Sequence, residues 1–182
     1  MTTRLGPVRQ MGLVVNDFDG ALEYWTQIMG TGPFFVSREV GFDDYRYRGQ
    51  PSASPVLSLA YAQISDTMQL EIIHQHDDAP SGYRDFLRSG REGCQHLSSW
   101  FDSADAFDAA HAHALASGLA PIHEGSAGGP RFAYFDSYGA GSAGLAFEIA
   151  EGLLPMLDPV HEMMVAAARD WDGSDPVRAM PG

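Results

Sequence analysis

Four residues of the types that bind cations and move protons stand inside apolar runs of the chain: Gln10 in VRQMGLVV, Glu71 in MQLEIIH, His96 in GCQHLSSWF and Glu148 in GLAFEIAE. A charge in the middle of a packed strand is costly unless it is paired, metal-bound or turned to solvent. Two carboxylates balance a divalent cation, and a neutral imidazole with an amide oxygen completes an N/O ligand set suited to Zn, Ni, Co, Mn or Fe. None of the four is a thiolate, so the donor types leave the identity of the metal open.

The elements that must position these residues repeat. His96 follows Gln10 by 86 positions, and at that offset Asn16 falls on Asp102 and Asp19 on Asp105, so a strand, a polar helix start and an acidic first turn recur in order. Val8 to Val15 alternates, with Met11, Leu13 and Val15 on one face and Gln10, Gly12 and Val14 on the other. Asn16 or Asp17 caps a helix whose stripe is Phe18, Ala21, Leu22, Trp25, Ile28 and Met29, with Gly30 as its stop. Phe34 to Val40, Tyr45 to Arg48, Val56 to Ala62 and Met68 to His74 read as antiparallel strands broken by Gly, Pro and Asp. In the last of them Glu71 shares a face with Gln69 and Ile73.

Residues 79–92 form a connector with a short helical stretch from Tyr83 to Leu87. The second unit then opens on a strand with Cys94, His96, Ser98 and Trp100 on one face. A helix from about Ser103 carries Ala104, Phe107, Ala110, Ala114 and Leu115, and strands follow at Leu119 to His123, Arg131 to Asp136 and Gly144 to Ala150, where Glu148 lies opposite Leu145, Phe147 and Ile149. The spacing from Gln10 to Glu71 is 61 residues and from His96 to Glu148 is 52, a difference that loops absorb. The expected fold is α+β: two tandem βαβββ modules, residues 1–78 and 93–151, forming one cupped mixed sheet in which the four side chains converge. Residues 152–182 add a helix capped by Asp158 with Pro159 at its first position, striped by Val160, Met163, Met164, Ala167, Ala168 and Trp171, and then a frayed tail.

Composition narrows the function classes. With 24 acidic against 11 basic residues the formal charge is −13, which disfavours nucleic acid and anionic membrane surfaces as partners. One cysteine, Cys94, excludes an internal disulfide framework and points to a reducing, cytoplasmic setting. No run approaches the ~20 apolar residues of a membrane helix.

VRQMGLVVND, MQLEIIH, GCQHLSSWF and GLAFEIAE together resemble the vicinal oxygen chelate superfamily, the glyoxalase, bleomycin-resistance protein and dioxygenase fold, over roughly Pro7 to Glu151. The resemblance implies that the first and last strands of each module supply metal ligands, which map onto Gln10, Glu71, His96 and Glu148. Gln, Glu, His, Glu in that order is similar to the metal set of glyoxalase I of the eukaryotic type. Methylmalonyl-CoA epimerases are similar in size and layout but usually carry His where this chain has Gln10. Val14 stands where glyoxalase I has an arginine for the glutathione carboxylate, and Gln75 where it has asparagine, which argues against glutathione. An extradiol dioxygenase needs histidine at the position of Gln10.

The implied activity is that of a metal-dependent lyase or isomerase acting on a small-molecule carbonyl compound, such as a thioester, through an enediolate or enolate. Glu148 is then the base and Glu71 its opposite-face partner. The alternatives are a non-catalytic binder like the bleomycin-resistance members and, least favoured, a dioxygenase. Phe34, Trp100 and Tyr134 are candidates to line an apolar substrate pocket, and Arg131, with Arg84 and Arg88, to meet an acidic handle. His74, His76, His111, His113, His123 and His161 are expected off the cup face, in the connector or at the surface. The loop Gly125 to Gly129 does not open a helix after a strand, so it reads as a rim rather than a phosphate loop. Modules of this kind pair within one chain or between chains, which leaves a homodimer open.

Overall fold

The computed structural model describes residues 5–136, 144–154 and 158–181. Its strands form one mixed sheet. At its centre β1 (Val8–Val14) runs antiparallel to β7 (Gly93–Phe101), so the two stretches recognised as a repeat lie side by side with Gly12 opposite His96. Outward from β1 come β6 (Met68–Gln75), β5 (Leu57–Ser65) and β2 (Phe34–Val40); outward from β7 come β10 (Ala146–Glu151), β9 (Arg131–Asp136) and β8 (Ala120–Ser126). Each half therefore has the same order about the central pair, and Glu71 and Glu148 lie on the strands that flank it. The fold is α+β, as the repeat implies.

Alternation divides the core as read. Val15, Leu70 and Ile72 pack under α1 (Phe18–Glu23) with Phe18, Leu22 and Phe34. Ala133, Phe135 and Ile149 pack under α3 (Ala104–Ala116) with Phe107, Ala110 and Ala114. The concave face holds a third set, including Val14, Leu59, Ile73, Tyr83, Trp100 and Tyr134. Caps fall where oxygen-bearing side chains precede the apolar stripes: Asp17 accepts from the Gly20 amide, Ser103 from Ala106 and Asp158 from Val160.

Four features differ from the expectations. The first helix turns π-helical from Tyr24 to Ile28, and the wider turn rotates the end of its stripe outward, leaving Ile28 71% and Met29 51% exposed. Between β2 and β5 the chain does not stay in its own half: β3 (Asp43–Tyr47) and β4 (Gln50–Pro51) form a hairpin, and β3 pairs with β8 of the second half. The connector helix α2 (Gly82–Arg88) buries Tyr83 and Phe86 in the concave core. The tail is not frayed; after α4 (Pro159–Arg169), β11 (Val177–Ala179) pairs in parallel with β2, and Arg178 lies over the Phe35 ring. Among the described residues, no helix is long and apolar enough to cross a membrane.

Candidate active site

Gln10, Glu71, His96 and Glu148 are all buried, at 3%, 6%, 0% and 6% exposure. His96 Nε2 lies 3.3 Å from Glu71 Oε2 and 3.6 Å from Glu148 Oε2, with the Tyr134 hydroxyl at 3.4 Å. Room for the imidazole comes from Gly12: a Cβ built there would fall within the His96 ring. A bulge orients the ring. The pairing steps from Gly12 opposite His96 to Leu13 opposite Cys94, so Gln95 is the extra residue, and its Oε1 lies 2.9 Å from His96 Nδ1. With that amide oxygen accepting, the proton sits on Nδ1 and Nε2 turns a lone pair toward the carboxylates. Gln95 was not legible as a site residue, because a bulge is a property of the pairing and leaves no mark in one strand's alternation.

The site has too many acceptors. The hydroxyl protons of Tyr61, hydrogen-bonded to Glu71, and of Tyr134 face two carboxylates and an imidazole lone pair, with no lysine or arginine among the side chains in contact with these groups in the described structure. Burial, and after it the charge of Glu71, pushes the Glu148 carboxyl from its ordinary 4.5 up to about 7, with His96 working in the other direction. Tyr61, Tyr83 and Tyr134 are held well above their ordinary 10, first by burial and then by the carboxylate charges around them.

Either a proton or a cation must fill this cluster, and its donors suit a divalent ion. Adjacent ligands at bond lengths of about 2.0–2.2 Å stand roughly 3.0–3.5 Å apart; the imidazole–carboxylate spacings here are 3.3 Å, within that range, and 3.6 Å, just beyond it. Among the described residues no group of three or more His, Cys, Asp or Glu side chains is already arranged about a common ion position, so the set would have to close slightly. Gln10 donates its Nε2 to Gln69 Oε1 at 2.7 Å, which leaves its own amide oxygen available.

The Glu148 shift gives a pH prediction. A carboxyl raised in the folded state adds stability that is complete below the unfolded value of 4.5 and is lost as pH rises through about 7. The metal-free protein is expected to melt at a lower temperature at about pH 8 than at about pH 6, and Glu148→Gln to flatten that slope. Thermal melts over a pH series check it; an unchanged slope in the variant would refute the shift.

Three of the four residues, Gln10, Glu71 and Glu148, border an apolar cavity of about 120 Å³, where they are joined by Leu59, Tyr61, Gln69, Tyr83, Phe132, Tyr134 and His161. Ala127 and Pro130, from the tip of the β8–β9 hairpin, sit on its margin, the place expected for the glycine-rich rim. A larger groove of about 340 Å³, lined by Arg48, Asp85, Arg91 and Gln95, contains none of the four.

Of the proposed substrate contacts, Tyr134 lines the cavity, and Trp100 lies on the concave face against the His161 ring. Phe34 does not: it is on the opposite face of the sheet, under α1, because its position in β2 alternates toward the helix. Arg131 reaches the margin, but its guanidinium is paired with Glu151 at 2.5 Å and Asp108 at 2.9 Å and covers Phe107. Arg84 and Arg88 pair with Asp78.

Two histidines are not at the surface as expected. His123 is fully buried on β8; its Nδ1 accepts from the Gly82 amide at 3.1 Å, and burial, with the charge of His96, lowers its pKa to about 3. His161, at 7% exposure, is on the inner face of α4 with Met164, a spacing of three that marks one helical face. His74 Nδ1 bonds the Val15 carbonyl, and His111 pairs with Glu124.

Comparison with solved structures places the same fold elsewhere. The chain is similar to a methylmalonyl-CoA epimerase from Mycobacterium tuberculosis (TM-score 0.58, 21% identity, covering 83% of this chain and 91% of that one). It is also similar to a Streptomyces coelicolor methylmalonyl-CoA epimerase solved with 2-nitronate-propionyl-CoA (0.53, 18%, 79% and 92%) and to a hypothetical protein from Bacillus halodurans (0.53, 16%, 80% and 93%). No curated protein sequence matches the chain. A family model described as Glyoxalase/Bleomycin resistance protein/Dioxygenase superfamily matches residues 9–135, which span the central β1–β7 pair and three of the four buried polar residues. With most of its length matched, and with the paired half-sheets around one cup, the chain belongs to that superfamily.

Proposed function

We propose that the protein is a divalent-metal-dependent isomerase or lyase that ionises a carbon acid beside a carbonyl, with an acyl thioester as its substrate class. The observation that carries this reading is the buried surplus of acceptors at His96 Nε2, Glu71 and Glu148, two of which line an apolar cavity. Support for a thioester comes from the structural neighbours, whose names give methylmalonyl-CoA epimerase. Gln10, Glu71, His96 and Glu148 would hold the ion; when bound it supplies Lewis-acid polarisation of a carbonyl oxygen.

Within that frame the chain's own groups do the rest. Glu148 takes the proton from the α-carbon and returns it, and Glu71 serves the opposite face. A cation held by these residues would make a ligand carboxylate less basic, so Glu148 serves as base only where its carboxylate is not bound to the ion. Tyr61 and Tyr134 flank the two carboxylates, and the apolar lining excludes water that would quench an enolate. The lone cysteine and acidic surface support action in the cytoplasm.

The test is metal binding followed by exchange. Zn, Ni, Co or Mn at about a hundred times its dissociation constant is expected to stabilise the fold by about 2.7 kcal/mol, read as a rise in melting temperature, and elemental analysis should find bound ion. Exchange of the α-proton of methylmalonyl-CoA in deuterium oxide then reads the chemistry. The small, apolar cavity also favours a second reading, a binder that sequesters a small molecule without metal. Absence of both bound metal and thermal gain would select it.

A further inference from the structure

Helix α4 brings one more group to the cavity, from a different wall than the two carboxylates. His161 is buried and lines the cavity together with Glu71 and Glu148. Its Nδ1 lies 2.8 Å from Asp158 Oδ2, while Asp158 Oδ1 accepts from the Val160 amide at 2.9 Å, so the same carboxylate caps the helix and holds the ring. A carboxylate only accepts; the proton is therefore on Nδ1 and Nε2 carries a lone pair. That Nε2 is buried and has no hydrogen-bond partner in the described structure. The ring stands edge-on to Trp100, centroids 4.8 Å apart at 70°, which leaves it little freedom to turn.

Neither carboxylate is an ion-pair partner of His161, whereas His96 contacts both. His161 thus lines the cavity without belonging to the ion-pair cluster of the carboxylates. Burial lowers the His161 pKa from 6.5, against the raising effects of the Asp158 hydrogen bond and charge and of the Glu71 charge, so the ring is neutral at neutral pH.

We propose that His161 is a catalytic base facing the substrate in this cavity, and that Asp158 is the residue that positions it. The proposal rests on the carbon-acid reading above. His161 Nε2 takes the proton from the carbon α to the thioester carbonyl on the substrate face turned to α4, replacing Glu71 in the opposite-face role, while Glu148 serves the other face. The C–H electron pair becomes the C=C bond of the enolate while the carbonyl π pair moves to oxygen, and the imidazolium is balanced by Asp158. Return of a proton to carbon from Nε2 reverses each change; in deuterium oxide the returned nucleus is a deuteron.

Two measurements decide it. Nitrogen-15 correlation spectra of histidine-labelled protein, without metal or substrate, are expected to show His161 with Nδ1 protonated and Nε2 bare, and Asp158→Asn to change that tautomer balance; Nε2 protonated in the parent protein overturns the assignment. In the exchange assay with methylmalonyl-CoA, His161→Gln is expected to lower kcat about a hundredfold or more with little change in KM. Asp158→Asn should lower kcat and move the acid limb of the pH profile to lower pH, since the imidazole loses the charge that raises its pKa. A wild-type rate in His161→Gln overturns the proposal. No exchange in the parent protein counts against the thioester reading instead, and the tautomer alone then decides the assignment.

Discussion

Glu148→Gln is expected to reduce α-proton exchange by about a thousandfold, within the range of roughly a hundred- to ten-thousandfold that positioned acid–base groups contribute, while the protein remains folded. The amide keeps the size of the carboxyl but cannot take a proton. It also removes a charge from a site where burial and Glu71 already oppose ionisation, so the variant should melt no lower than the parent at about pH 8. Deuterium incorporation read by mass spectrometry, beside a thermal melt, separates loss of chemistry from loss of structure. An active Glu148→Gln would end the assignment of Glu148 as base and leave it, at most, a ligand.

The second large effect belongs to a residue with no side chain. Gly12→Ala places a methyl group within the His96 ring, against backbone that is pinned on both sides by β6 and β7. His96 must leave, and with it the Gln95 contact and the spacing to Glu71 and Glu148. Overpacking of a tight core costs about 3 kcal/mol at the upper end of its usual range, which for a domain of this size lowers the melting temperature by roughly 6–12 °C. Metal-induced stabilisation should vanish at the same time. The double variant Gly12→Ala with His96→Ala relieves the clash, so it should recover much of the lost stability and none of the activity. If the single variant binds metal and melts like the parent, His96 does not occupy the position described.

Much of this arrangement was legible because strands report their faces. Gln10 and His96 at matched places, and Glu71 and Glu148 each out of phase with an apolar set, were enough to infer one cup and its four polar residues. What was not legible depends on partners. Tyr45 to Arg48 reads as a strand, yet nothing in its alternation says that it pairs with β8 rather than within its own half. Gln95 acquires its role from a slip in register against β1. His123 sits beside Pro121 and Gly125 in β8, residues too small or irregular to announce a buried face. His161 was within reach: it precedes Met164 by three and Ala168 by seven, a helical face, but the polar residue in that stripe was read as solvent-facing. Phe34 shows the converse, an aromatic residue whose parity assigns it to the layer beneath α1 and away from the cavity.

The hairpin of β3 and β4 gives the duplication an asymmetry that the repeat itself does not have. It leaves the first half to complete the free edge of the second, and it carries Tyr45 and Phe42 into the shared concave core. Tyr45 there donates to the Pro80 carbonyl at the entrance to the connector helix, so three segments distant in sequence meet at one rim. The halves are thus interlocked rather than merely adjacent. A chain divided in the connector would strip the second half of its edge strand and the first of the surface on which its hairpin rests, so the symmetry of the site's layout does not extend to the edges of the two halves.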